Sequence, residues 1–144
     1  MNVHTILRNK GRSVVTIHPD ATIERAIGVL RQRGIGALVV SDDGENVAGI
    51  LSERDIVEAL GRYGSELLAV SVAEVMTCPV VTCEPEDSVA ELMAEMTTRR
   101  IRHFPVVEGG RLIGIVSIGD LVKNRLDQIE YEAHSMRSFI AGAA

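Results

Sequence analysis

The sequence predicts an α+β fold in which two pseudo-symmetric β-α-β-β-α repeats pack through their sheets. Two observations predict it. The first is a unit written twice: VVTIHPDATIERAIGVLRQRGIGALVVSDDGENVAGILSERDIV, then VVTCEPEDSVAELMAEMTTRRIRHFPVVEGGRLIGIVSIGDLV. Thr16, Pro19 and Ile35 are answered by Thr82, Pro85 and Ile101 at one constant spacing; after a one-residue deletion in a turn, Gly49, Ser52 and Asp55 are answered by Gly114, Ser117 and Asp120. The second is the hydrophobic period, which changes in the same order in both copies from strand-like to helical and back. With 144 residues, 46% of them apolar, the chain is long enough for one core and too short for two independent domains of ordinary size. Two copies that each carry an apolar face therefore bury it against one another.

The elements follow in order. An N-terminal helix over Val3–Asn9 precedes a short apolar strand of Val14, Val15 and Ile17. Ile23, Ala26, Ile27 and Leu30 then recur at i, i+3, i+4, i+7, the stripe of a helix packed on one side, and Gly34 stops it. Val89, Leu92, Met93 and Met96 repeat that stripe in the second copy, where Ser88 and Glu91 form a capping pattern at its start. Ala37–Ser41 and Val47–Ser52 flank the turn DDGEN, and His103–Glu108 and Leu112–Ser117 flank Gly109-Gly110, so both pairs are hairpins by turn chemistry. The division expected is residues 1–63 for the first repeat with the N-terminal helix, 64–78 for a linker whose SVAEVMT is a short helix, 79–126 for the second repeat, and 127–144 for a C-terminal helical extension. In that extension Val122, Leu126, Ile129, Ala133, Met136 and Ile140 keep to one seam of a continuous helix. The seam packs either on its own domain or on a second copy in a homodimer.

Composition narrows the function. The formal net charge of -5, with Lys and Arg scattered among acids, lacks the basic stripe that binds nucleic acid, and 3% aromatic content with no Trp offers no stacking platform for single strands. Cys78 and Cys83 match neither a metal site nor a disulfide framework, which fits a reduced, cytoplasmic setting. MNVHTILRNKG lacks the apolar stretch of a signal peptide, and no run reaches the roughly 18 apolar residues of a membrane span, so no membrane partner is expected. There is no serine elbow, no paired histidine ligands and no cysteine with an activating base, so no enzyme, catalytic cofactor or metal site is expected.

The pattern G-h-h-S-x-x-D occurs as GILSERD, Gly49 to Asp55, and as GIVSIGD, Gly114 to Asp120. It puts Ser where a strand runs into a helix, and the helix N-terminus offers unpaired N–H groups and a positive dipole end that favour a phosphate. The Asp three residues on, with two acceptor oxygens, suits a pair of vicinal hydroxyls. S-x-x-D is equally a capping pattern, with Ser as N-cap and Asp reaching back, and duplication does not separate the two readings because caps duplicate too. His103 at a strand start reads first as a half-buried structural residue. Arg99 and Arg100 read as a solvated helix end or as part of a site, and Arg102, alternating with Ile101 and Phe104, is the better functional candidate.

The repeat order, the segments GIGALVV and RIRHFPVV and the duplicated G-h-h-S-x-x-D junctions together resemble a tandem pair of cystathionine-β-synthase-type (CBS) domains, a Bateman module, over roughly Lys10 to Arg125. The resemblance implies sheets paired about a pseudo-two-fold axis and two clefts for adenosine-containing ligands, among them AMP, ADP, ATP, NAD and S-adenosylmethionine, in modules that commonly dimerise. Carried over by position, the first cleft uses Asp120 on the ribose hydroxyls with Ser117 nearby, Ile115, Val15 and Ala37 against adenine, and Lys10 and Ser13 from the opening segment. The second uses Asp55 for ribose, Ser52 and Arg54 towards phosphate, Ile50 against the base, and Thr77, Pro79 and Val81 from the other repeat's opening segment. Arg102 and His103 lie between the clefts, at positions that in the family often face phosphate.

The clefts differ in composition. Arg54 is answered by Gly119, and an arginine–phosphate hydrogen bond is worth about 1.5 to 3 kcal/mol, roughly one to two decades of affinity. Against that, Gly36-Ala37 is answered by Arg102-His103, which crowds one adenine pocket while adding charge near both phosphates. Few basic residues fall to each cleft, which favours AMP or NAD over ATP. The function expected is a stand-alone sensor that binds an adenine nucleotide and signals to a separate effector protein. The alternative is a ligand-independent structural or oligomerisation adaptor built on the C-terminal helix.

Overall fold

A computed structural model describes residues 1–143; Ala144, the last residue of the expected extension, lies outside the described residues. The first repeat contains β1 (Thr16–Ile17), α2 (Ile23–Arg33), β2 (Ala37–Val40), β3 (Gly49–Ser52) and α3 (Glu53–Tyr63), preceded by α1 (Val3–Lys10). A 3-10 helix, Gly64–Ala69, and the short α4 (Val72–Val75) lead to the second repeat, made of α5 (Val89–Arg99), β4 (His103–Glu108), β5 (Arg111–Ser117) and α6 (Ile118–Ala143). The mixed α+β architecture of two β-α-β-β-α-like units is the one the repeats predict.

Local chemistry explains the boundaries. The Thr22 and Ser88 side chains accept from the N–H groups of Arg25 and Glu91 at the starts of α2 and α5. Gly34 ends α2 in the left-handed conformation, and Arg100 takes the same conformation after α5 with φ 55, a strained position for a residue with a Cβ. β1 runs parallel to β2, which pairs antiparallel with β3; β4 and β5 form the equivalent antiparallel hairpin.

The opening strand of each repeat is shorter than Val14, Val15 and Ile17 led us to expect. Only Thr16–Ile17 is strand in the first copy, and Cys83 makes a lone parallel bridge to Val106 in the second. Pro19 and Pro85, two residues beyond these contacts, supply no N–H for a longer ladder. On the other side the chain has already left its own sheet: Thr77, which opens the second repeat, bridges Ile50 of the first.

The helices that precede the repeats cross over. Val3, Ile6 and Leu7 of α1 are buried with Leu92, Met96, Phe104 and Val116 of the second repeat, although chain order groups α1 with the first. Val72 and Val75 of α4 are buried with Ile17, Ile23, Leu38 and Leu51 of the first repeat. The N–H groups at each helix start are met by the opposite copy at equivalent places: His4 donates to the Pro85 carbonyl at 2.9 Å, and Ala73 to the Pro19 carbonyl at 2.9 Å. Leu7 of α1 and Met76, the residue that follows α4, each press a side chain onto a strand glycine. A Cβ at Gly114 would lie 2.6 Å from Leu7 Cδ2, and one at Gly49 would lie 2.5 Å from Met76 Sδ.

Candidate nucleotide cleft between the repeats

Both S-x-x-D junctions are capping boxes. Ser52 Oγ accepts from the Asp55 N–H at 3.3 Å, and Asp55 Oδ2 accepts from the Ser52 N–H at 2.8 Å. Ser117 and Asp120 repeat the arrangement at 3.2 and 2.9 Å. At Asp55 the cap also sets the carboxylate on the groove where the repeats meet, so there the capping reading and the cleft reading describe the same atoms.

At the second cleft that groove is a cavity of about 850 Å³. Ile50, Ser52, Arg54, Asp55, Thr77, Pro79, Val81, Arg102 and His103 all line it. β3 delivers Ile50 to its floor and the start of α3 delivers Arg54 and Asp55, while the segment from Thr77 to Val81 forms a wall contributed by the other repeat. Thr77 fixes that wall: its N–H donates to the Ile50 carbonyl at 2.8 Å and its hydroxyl to Asp55 Oδ1 at 2.8 Å. Arg54 is held by its Nε 3.4 Å from Glu58 Oε1 and donates to the Arg100 carbonyl at 3.3 Å.

The lining extends beyond the residues assigned to the second cleft from the sequence. Arg99 and Arg100 also face this cavity, as do Gly36, Glu53 and Glu58. Arg99 and Arg100, which the sequence left open between a solvated helix end and part of a site, border the cavity together with Arg54 and Arg102. The expectation of few basic residues per cleft is thereby corrected. A smaller cavity of about 450 Å³ adjoins the first and shares Arg54, Arg100, Ile101 and Arg102 with it. Gly36 is where the chain must be thin: a Cβ there would lie 3.2 Å from Glu53 Oε1 and 3.6 Å from His103 Cε1.

The residues assigned to the first cleft are arranged differently. Lys10 reaches from the end of α1, placing its Nζ 2.6 Å from Asp120 Oδ2 and 2.9 Å from the Ile115 carbonyl oxygen. Burial pushes the Asp120 carboxyl up, but the Lys10 hydrogen bond and charge and the Ser117 N–H outweigh it and hold the group below its ordinary value. Ala37 is buried, Val15 packs on the core of the first repeat, and Ser13 is exposed. None of Lys10, Ser13, Val15, Ala37, Ile115, Ser117 and Asp120 lines the large cavity.

His103 stands between the two sites. It pairs with Ser117 across the second hairpin while facing the cavity from β4. Burial lowers its pKa from the ordinary value and the Lys10 charge lowers it further, against the opposing influence of Asp120 and Glu53. The Cys83 thiol is pushed up to about 12 by burial and by the charges of Asp87, Glu95 and Glu84, which keeps it protonated and unreactive. Among the described residues no cluster of His, Cys, Asp and Glu has the arrangement of a metal site, and no helix is long and apolar enough to cross a membrane.

The CBS-domain family model matches residues 10–62 and 72–127, the two repeats in turn. The chain belongs to the CBS-domain family. Its fold superposes on a CBS-domain protein of Agrobacterium tumefaciens with a TM-score of 0.84 at 47% identity, over 87% of this chain and 99% of that one. The CBS domain-containing protein YhcV of Bacillus subtilis is 34% identical over 78% of this chain and 79% of its own length. Another CBS pair, 26% identical with a TM-score of 0.77 over 89% of this chain and 98% of that one, was solved in complex with 5′-methylthioadenosine and S-adenosyl-L-methionine. A CBS-CP12 protein from bloom-forming cyanobacteria, 26% identical with a TM-score of 0.75 over 100% of this chain and 88% of that one, is hexameric. Adenosyl ligands and oligomers thus both occur among the relatives of this CBS pair.

Proposed function

We propose that this CBS pair is a non-catalytic cytoplasmic sensor that binds a phosphate-bearing adenosine ligand in the second cleft and passes its occupancy to an effector protein. The observation that carries the reading is the cavity itself, which gathers a ribose-type acceptor, an apolar floor and an arginine cluster in one groove. Asp55 receives a ribose hydroxyl: its Oδ2 already accepts from the Ser52 N–H and hydroxyl and its Oδ1 from the Thr77 hydroxyl, and a carboxylate has about four acceptor positions, so one remains on Oδ1. Ile50 and Val81 flank the base, and Arg54, Arg100 and Arg102 receive phosphate.

Charge selects the ligand further. Arg54, Arg99, Arg100 and Arg102 outnumber Glu53, Asp55 and Glu58 in the lining by a single positive charge. That favours a monophosphate or a dinucleotide, AMP or NAD, over the heavier charge of ATP, and disfavours the cationic sulfonium of S-adenosylmethionine. Occupancy signals only if the ligand prefers one arrangement of the two repeats to another. The wall from Thr77 to Val81 and the floor at Ile50 come from different repeats, so a ligand between them biases that arrangement.

A second reading is favoured by α6. Val122, Leu126, Ile129, Met136, Phe139 and Ile140 are all exposed along it, a continuous apolar seam on a helix that outruns its domain. This suits a homodimer, and it suits equally an adaptor that needs no ligand. Thermal unfolding with AMP, ADP, ATP, NAD, NADH, S-adenosylmethionine, GMP and deoxy-AMP separates the two. A ligand at about a hundred times its Kd adds about 2.7 kcal/mol, a shift of several degrees. Stabilisation by AMP or NAD with a much weaker effect of deoxy-AMP supports the sensor; no shift by any member of the panel leaves the adaptor.

A further inference from the structure

Leu7 of α1 and Met76, the residue after α4, mark equivalent points on the two crossing segments, because each presses on the glycine of the strand it crosses, Gly114 or Gly49. The segments differ from there. α4 ends at Val75, and the extended chain lets Thr77 pair with Ile50 and touch Asp55. α1 continues to Lys10, and this extra turn carries an ammonium group into the first cleft. There it bonds both Asp120 and the Ile115 carbonyl, the counterparts of Asp55 and Ile50. From this geometry we infer that Lys10 determines which cleft accepts a nucleoside, occupying the first as a tethered cation so that one adenosine ligand binds per chain. The inference rests on the sensor reading proposed above.

The chemistry is a competition for one carboxylate. At Asp55 a ribose hydroxyl joins a neutral Thr77 hydroxyl around an anion that no cation pairs among the described residues. At Asp120 it must displace a charge-assisted bond at 2.6 Å and exchange it for a neutral donor. A ligand that does so meets Gly119 where the second cleft has Arg54. The Lys10 side chain is partly exposed and ends its helix, so replacing it with methionine keeps length and helix propensity without disturbing the core.

Calorimetric titration with AMP tests the inference in the wild type, in Lys10→Met, and in each of these combined with Asp55→Asn. The expected result is one site in the wild type and two in Lys10→Met, with the added site surviving Asp55→Asn and at least tenfold tighter than any first-cleft binding in the wild type. Two sites in the wild type, or one in both proteins, overturn the role of Lys10 and leave the sensor reading standing. A site lost on Lys10→Met also overturns it, by making the lysine a ligand contact. No site in the wild type and one in Lys10→Met upholds the lysine and removes the second-cleft reading; no site in either protein removes both.

Discussion

Two carboxylates at equivalent ends of equivalent strands have different neighbours. Asp55 takes a hydroxyl from Thr77 and borders an open cavity, whereas Asp120 takes an ammonium from Lys10. The capping boxes beneath them share both backbone bonds, so the main difference lies in what the crossing segment brings to each carboxylate. Duplicated scaffolds can thus hold two anions in one geometry and leave only one of them available.

The largest effect expected on that comparison comes from making the second cleft resemble the first at the phosphate end. Arg54→Ala should weaken AMP binding by about ten- to a hundredfold, the value of one arginine–phosphate bond, and leave adenosine almost unaffected. Equal losses for AMP and adenosine would show that the arginine orders the groove instead of meeting phosphate.

The next effect concerns the crossing helices. Gly114→Ala should destabilise the fold by about 1–3 kcal/mol, because the new methyl meets a buried leucine. Gly49→Ala should cost less, since its nearest neighbour is the end of a flexible methionine, although the Thr77 carbonyl oxygen at 3.1 Å limits the relief. Urea unfolding of both variants gives the order, and a costlier Gly49→Ala would mean that Met76 cannot swing aside.

The smallest effect is a proton linkage at His103. Its pKa is lowered by burial and by Lys10, and the charged groups around it are Lys10 of α1, Asp120 of α6, Glu53 of α3 and the adjacent Arg102. For a base lowered in the folded state, the unfolded chain binds the proton first, so its contribution is present above about 6.5 and lost as pH falls through the folded value. A phosphate in the cleft favours the imidazolium and raises that value. The AMP affinity of the wild type relative to that of His103→Gln should therefore rise as the pH falls, by less than about tenfold per unit for one proton, a ratio in which the titration of the AMP phosphate at about pH 6 cancels. A ratio that stays constant with pH would assign the proton to another group.

Much of this was legible in the sequence. Helical stripes, turn residues and the duplicated S-x-x-D pattern depend on neighbours a few positions apart, and such patterns carry element type and the direction of the caps. The crossing of α1 and α4 was not legible: the spacing of Val3, Ile6 and Leu7 shows that a face is buried and is silent about which repeat buries it. Nor does local pattern hold the contact between Lys10 and Asp120, which joins residues far apart in the chain. Arg99 and Arg100 were hidden by a different ambiguity, because basic residues at a helix end also offset its dipole. Nor does sequence signal the positive φ at Arg100 as it does at Gly34.

The exchanged helices also bear on how the molecule forms and fails. Neither half owns a complete interior: the second repeat borrows Val3, Ile6 and Leu7 from the start of the chain, and the first borrows Val72 and Val75 from beyond its own end. A break between the 3-10 helix and α4 would therefore not release two folded halves, because each would surrender part of its core to the other fragment. The duplicated sequence describes two domains, and the exchange makes them one cooperative unit that melts as a whole.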